Sequence, residues 1–377
     1  MTFDYRNNVT ESERLRVLIV GGFIDYQIQL ANSLVSNGWE VEVAITRKSI
    51  PEDYENCYND GINIYPIGRG KSKRDPSNIF ALLEFWSKLR KFNPDVVHMQ
   101  LGGTFTDFSL LPMLRIYPLV TTFHDVKLHR GEASLRRRFY RYWLRRASDH
   151  IFVHGDFLKS QMISEYNVNP DIVHPIAFGE HEVDPFIRNA NINQEEVDNT
   201  VLFFGRIFEY KGLDYLIKAE PMISEEVPGV RFVIAGVGED ISRYLDMMVH
   251  RDRFDVRNYR ISYEEGAKLF QECSLVVLPY IDGSQSGIIP TAYAFKKPLV
   301  ATSIGGIPEL IDDGSTGILV PPKEVGTLAR AIIKLLRDKE LRQSMGEMGF
   351  RKLKTDMSWE RIADRTITIY NQAMTQR

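Results

Sequence analysis

Two permanent cations, Arg206 and Lys211, stand in the stretch Val201–Gly212, where an apolar run ends at Gly205 and Gly212 opens the next helical pattern. Farther along, the small polar turn Ser284-Gln285-Ser286-Gly287 runs straight into a helical pattern at Ile288. Brought together, these stretches would aim two cations and the backbone amides of Ser286, Gly287 and Ile288 at one spot. Amides at a helix start and the helix dipole both favour negative charge, so the spot suits a diphosphate. If a bond to that diphosphate breaks, charge grows on its oxygens, and preorganised cations and amides lower the barrier. The plain alternative is a pair of surface charges at a strand end, held in ordinary ion pairs.

Other residues are weaker candidates. His124 follows the apolar run Leu119–Phe123, and the C-terminal end of a parallel strand is where α/β folds bind ligands. A satisfied structural histidine fits the same position; His98, His154 and His174, all in strand-like runs, read as structural. Gly21 and Gly22 would let backbone approach a ligand closely, though a tight strand-to-helix turn also explains them. Asp282 reads as a loop aspartate capping a nearby amide. Glu309 would either meet a nucleotide or cap its helix.

The run LRRRFYRYWLRRA, residues 135–147, places Arg137, Arg138, Arg141 and Arg145 on one side of a helix. Leu135, Phe139, Tyr142, Trp143 and Ala147 fall on the other. Two readings stay open: a helix whose apolar side covers a sheet while its arginines are solvated, or a basic amphipathic helix on anionic lipid.

The elements that must position these residues alternate. Apolar runs at Val17–Val20, Val41–Ile45, Ile62–Ile67, Val96–Met99, Leu119–Phe123, Ile151–Val153 and Ile172–Phe178 are continuous rather than alternating. That pattern predicts strands covered on both faces, as in parallel sheets. Helical patterns lie between them, at Asp25–Ser36 and after the start signal Asp75-Pro76-Ser77. Gly179–Asn199 is polar, acidic and aperiodic, a linker. A second series follows, with strands near Val201–Phe204, Phe232–Ala235, Leu275–Pro279, Leu299–Ala301 and Ile318–Val320. Its helical patterns fall at Leu213–Ile223, Glu264–Glu272, Gly287–Phe295 and Val325–Leu336. Trp359, Ile362, Thr366, Tyr370 and Ala373 form one stripe of a last helix, which packs across the domain boundary or caps the second domain.

The 377 residues exceed one ordinary core. We therefore expect α/β architecture in two doubly wound Rossmann-like domains: 1–185, 186–355, and a C-terminal helix over 356–377. Hydrophobic content of 44% and charged content of 26% are those of a soluble globular protein, and a net charge of −3 argues against nucleic acid as a partner. Cys57 and Cys273 match no metal spacing or disulfide framework, and no apolar stretch is long enough to span a bilayer. A cytoplasmic protein is expected.

The order of these motifs resembles the GT-B glycosyltransferases of retaining family 4, including bacterial members. The resemblance rests on Gly21-Gly22 after the first strand, Gly205-Arg206 with Lys211-Gly212, the turn Gly305-Gly306-Ile307-Pro308-Glu309, and Gly314–Pro322. It spans nearly the whole chain. It implies two domains facing each other across a crevice, with the second binding a nucleotide diphosphate sugar as co-substrate; the sequence supplies no acidic metal cluster, so neither a metal nor another cofactor is expected. It also implies a histidine, here His124, at the donor sugar, which donates a hydrogen bond to a sugar hydroxyl or orients the acceptor. The family carries two glutamates around the second helix start, one at the sugar ring and one at the ribose. Here Ser284-Gln285-Ser286-Gly287, similar to a variant block of bacterial members, replaces the first, and Ala292 stands in place of the second. Expected partners are a nucleotide-sugar donor, a glycan or lipid-linked acceptor, and the inner face of a membrane touched by the Arg137–Arg145 helix. The missing glutamates keep a non-catalytic nucleotide-sugar-binding subunit as the alternative.

Overall fold

The computed structural model describes residues 14–45, 52–54, 56–67, 77–100, 105–127, 134–180, 185–189 and 194–376. The chain divides into two compact units, and the division is not one cut. The first comprises 1–154, 158–177 and 359–377; the second comprises 155–157 and 178–358.

In the first unit the chain runs β1 (Arg16–Val20), α1 (Ile24–Ser36), β2 (Glu40–Ile45), β3 (Asn63–Pro66), α2 (Ser77–Phe92), β4 (Val96–Gln100), α3 (Phe105–Leu114), β5 (Leu119–Phe123), α4 (Leu135–Ala147), β6 (His150–His154), α5 (Asp156–Tyr166) and β7 (Val173–Ile176), with the first two residues of α5, Asp156 and Phe157, falling in the second unit. Among the described residues the strands form one parallel seven-stranded sheet, ordered β3-β2-β1-β4-β5-β6-β7. The continuous apolar runs are its strands because both faces are covered: β1, β4, β5 and β6 are buried almost throughout. Asp75 and Pro76 of the helix-start signal lie outside the described residues; α2 begins at Ser77.

The second unit runs α6 (Pro185–Arg188), β8 (Thr200–Phe204), α7 (Leu213–Glu226), β9 (Arg231–Ala235), α8 (Ser242–Leu245), β10 (Phe254–Arg257), α9 (Tyr263–Glu272), β11 (Leu275–Leu278), α10 (Ile288–Ala294), β12 (Leu299–Thr302), α11 (Ile307–Leu310), β13 (Gly317–Val320), α12 (Val325–Arg337) and α13 (Lys339–Thr355). Its described strands form a parallel six-stranded sheet, ordered β10-β9-β8-β11-β12-β13. The acidic stretch before β8 is anchored on this unit. Glu196 accepts from Arg342 at 2.9 Å and pairs with Lys297 at 3.4 Å.

The last helix, α14 (Trp359–Thr375), belongs to the first unit. Its stripe Trp359, Ile362, Thr366, Tyr370 and Ala373 is buried, packing with Leu30, Ala31 and Leu34 of α1 over β1 and β4. Covering one sheet face this way is what a 3.6-residue stripe is for.

Helix α4 departs from the sequence pattern. Its inward side is Tyr140, Arg141 and Leu144, while Leu135 is 84% exposed and Phe139, Tyr142 and Trp143 are also exposed. The apolar side therefore does not cover the sheet. Arg141, read as an outward charge, is 7% exposed; its guanidinium donates to the carbonyls of Asp125 and Val126 and stacks over the Phe123 ring. Two carbonyl acceptors and an aromatic face compensate the lost hydration, which a helical wheel cannot register.

Candidate functional site

Each sheet reverses its winding at one place, and open α/β sheets bind ligands at such points, beyond the carboxyl ends of the strands. In the second unit the reversal lies between β8 and β11. Arg206 follows β8, and Tyr280 follows β11. Lys211 ends the turn Glu209–Lys211, and its ammonium lies 3.7 Å from the centroid of the buried Tyr280 ring. The Arg206 guanidinium donates to the Tyr210 hydroxyl at 3.2 Å. Beneath them the Tyr280 hydroxyl meets Ser286 Oγ at 3.0 Å, and the Ile288 amide donates to the same oxygen at 3.4 Å. Ile288 also closes the space beside Gly205: a β-carbon there would sit 3.9 Å from its Cδ1. Arg206, Lys211, Ser286, Gly287 and Ile288 are thus gathered at one strand-end site.

Gly212 explains the local path. Its φ of +67° is left-handed, and a β-carbon would strike the Pro279 carbonyl at the end of β11. Only glycine lets the turn carrying Lys211 close onto the neighbouring strand end. Ser284 and Gln285 pack against the Gly305-Gly306 turn, with the Gly306 amide donating to the Ser284 carbonyl at 2.8 Å. Tyr280 and Tyr210 carry no motif in the sequence; the aromatic residue just past β11 is the signal that could have marked the first.

Glu309 is held by backbone amides of another segment. Its carboxylate accepts from the amides of Asp156 (2.9 Å) and Phe157 (2.5 Å), residues of the same second unit. Burial raises its pKa, against the lowering effect of those two bonds. It caps no part of its own helix. Asp282 is exposed on the loop. Ala292 is fully buried among Ile289, Tyr293 and Leu299, so that position faces core rather than ligand.

In the first unit the reversal lies between β1 and β4. Gly21 ends β1 with φ +88°, pressed against the Gln100 carbonyl at the end of β4, which demands glycine; Gly22 has open space about it. His124 follows β5, buried between Phe23 and Tyr26, with Nδ1 2.9 Å from His154 Nε2. Burial, and then the neighbouring His154, hold its pKa well below 6.5, so its imidazole is neutral. His98 is a satisfied structural histidine, bonded to Tyr370 and Thr122. Among the described residues no group of three His, Cys, Asp or Glu could hold a metal ion, and no helix is long and apolar enough to cross a membrane.

Two family models match the chain in succession: Glycosyltransferase Family 4 over residues 20–179 and Glycosyl transferases group 1 over residues 198–338. An uncharacterized glycosyltransferase of Methanocaldococcus jannaschii is 28% identical across 94% of this chain and 95% of its own length. Among solved structures, sucrose-phosphate synthase from Thermosynechococcus elongatus superposes with a TM-score of 0.73 at 19% identity, covering 97% of this chain and all of its own. Anabaena HepE in complex with UDP-glucose does so with a TM-score of 0.68 at 15% identity, covering 95% of this chain and all of its own.

Proposed function

We propose that this GT-B glycosyltransferase, a family 4 domain followed by a group 1 domain, moves a sugar from a nucleotide diphosphate sugar to a hydroxyl acceptor with retention of anomeric configuration. The observation that carries the donor class is the gathering of Arg206, Lys211 and the Ser286–Ile288 amides at the β8/β11 switch point. A diphosphate leaving group accumulates negative charge as the glycosidic bond breaks, and fixed cations and amides stabilise it without reorganising. The acceptor hydroxyl attacks the anomeric carbon on the face the diphosphate leaves. No metal is required, because the charge neutralisation a divalent ion would provide is supplied by Arg206 and Lys211. In the first unit, Gly21 and Gly22 let substrate approach the backbone, and His124 meets a substrate hydroxyl. UDP-glucose bound to the similar HepE supports a nucleotide-sugar donor.

The acceptor is a glycan or lipid-linked glycan in surface-polysaccharide or glycolipid assembly, reached at the inner face of a membrane. Helix α4 supports that setting. Leu135, Phe139, Tyr142 and Trp143 are exposed beside the exposed Arg136, Arg138 and Arg146. Aromatic residues seat at the headgroup level, and each cation near anionic lipid contributes about 1 kcal/mol.

The test is thermal stabilisation by a panel of nucleotides and nucleotide sugars, with Arg206→Ala and Lys211→Ala alongside. A shift with one diphosphate family, lost in either variant, names the donor; NMR of the transfer product then reads the anomeric configuration. No shift with any donor would sink the reading. For the membrane, co-sedimentation with anionic but not zwitterionic vesicles is expected, abolished by Phe139→Asp with Trp143→Asp. Equal binding to both vesicle types would remove α4 from the account.

A further inference from the structure

The register of the first sheet sets two histidines side by side at its carboxyl edge. Phe123 of β5 pairs with Val153 of β6, so the residues that follow, His124 and His154, are neighbours. Their ring centroids are 5.0 Å apart. Beyond His154, its Nδ1 lies 3.3 Å from the carbonyl oxygen of Ala177. These contacts form a chain with a direction.

A backbone carbonyl only accepts, so His154 Nδ1 carries a proton. A neutral imidazole has one N–H, which leaves His154 Nε2 as a lone pair. That lone pair faces His124 Nδ1 at 2.9 Å, so the proton between them belongs to His124. His124 has then directed its single proton inward, and its Nε2 is a lone pair as well. His154 is fully buried, which disfavours the imidazolium that would reverse the order.

His124 Nε2 is buried and makes no hydrogen bond to any described residue. His98 is the contrast, since both of its ring nitrogens are bonded within the fold. Gln100, at the end of β4, is likewise buried, and neither atom of its amide meets a partner among the described residues. Its strand pairs with β5 through Gln100 and Thr122, two positions before His124. Unpaired polar atoms at this depth are costly unless a ligand completes them.

We infer that His154 is a positioning residue that fixes His124 as its Nδ1–H tautomer, so that His124 Nε2 accepts a hydrogen bond from a substrate hydroxyl and does not donate one. The inference rests on the reading that His124 meets a substrate hydroxyl, and it reverses the direction of donation that the sequence resemblance allows.

The test labels the histidine rings with nitrogen-15 and reads long-range nitrogen–proton correlations on the protein alone, assigning His124 by its loss in His124→Gln. The expected pattern is a protonated Nδ1 and a lone-pair Nε2. It should persist in His154→Gln, whose amide oxygen can replace the accepting Nε2, and be lost in His154→Phe. Turnover should fall about tenfold in His154→Phe, the scale of one buried hydrogen bond, and recover in His154→Gln. A protonated His124 Nε2 in the unsubstituted protein overturns the inference even if neither His154 variant folds. So does a His154→Phe protein with unchanged tautomer and turnover. If the tautomer is as stated but His124→Gln transfers sugar normally, the substrate contact is overturned and only the relay stands.

Discussion

Tyr280 ties Lys211 to Ser286 and so makes the proposed diphosphate site one object rather than a set of neighbouring charges. Its ring lies under the Lys211 ammonium at 3.7 Å, and its hydroxyl holds Ser286 at 3.0 Å. Burial pushes its phenol pKa up, so it stays neutral in working buffers. The two contacts can be removed separately. Tyr280→Phe keeps the ring and loses the bond to Ser286, about 1 kcal/mol. Tyr280→Leu also removes the aromatic seat, and a partly desolvated cation–π contact adds about 1–2 kcal/mol. With the seat gone, Lys211 can leave the position that the proposed function gives it beside the leaving group. The expected result is a graded loss: less than about tenfold in kcat for Tyr280→Phe, and about a further tenfold for Tyr280→Leu, since roughly 1.4 kcal/mol is one decade. The assay is steady-state transfer with the donor found by thermal shift, with urea unfolding to show that each variant is folded. Equal kcat for folded Phe and Leu variants would refute the seating role, whatever Lys211→Ala does.

Two further outcomes follow from buried groups. Ala292→Glu restores the acid of the family pattern but places it inside the second core, where Ala292 is fully buried; it should destabilise the protein by about 3 kcal/mol or more, read as a lower urea midpoint, and leave donor affinity no better. A gain in donor affinity at full stability would show that position 292 faces ligand after all. Burial lowers the pKa of His98 to about 3 and of His174 to about 4, and also depresses His124 and His150. The unfolded chain takes up protons near pH 6.5 that the native protein refuses, so their contribution is whole above 6.5 and is lost as pH falls toward the folded values. Each fully buried histidine should add a slope of up to roughly 1.4 kcal/mol per pH unit in that window. Urea midpoints from pH 7 to pH 4 should therefore drop steeply, less so in His98→Gln, and a flat profile down to pH 5 would contradict the buried-neutral assignment.

The winding of both units was legible because parallel strands buried on two faces must be continuously apolar, and those runs became β1 to β9 and β11 to β13 within a few residues. What escaped reading was whatever depends on an edge or on a partner. Among the described residues β10 (Phe254–Arg257) pairs only with β9, and it is half-buried throughout, so it carries no apolar run. α13 (Lys339–Thr355) is dense in charge, and its buried positions include Arg342 and two glycines. Glu309 could not be assigned because its partners, the amides of Asp156 and Phe157, lie far back in the sequence.

The candidate residues were legible to the extent that strand ends are. Arg206 after β8 and His124 after β5 stand where parallel sheets present side chains, and the sequence places them there through the apolar run that precedes each. Their function depends on a second strand end in each case. Lys211 is seated by Tyr280 past β11, and His124 takes its tautomer from His154 at the end of β6. Neither partner has a motif, because each lies well away in sequence from the residue it serves: α4 stands between His124 and His154, and α7 to α9 stand between Lys211 and Tyr280. The pairing is nonetheless lawful: once strand order and register are fixed, the residue after Phe123 must face the residue after Val153. Register is thus the step at which a list of plausible side chains becomes a chemical device, and a one-residue slip of β6 against β5 would leave His124 with no acceptor for its Nδ1 proton.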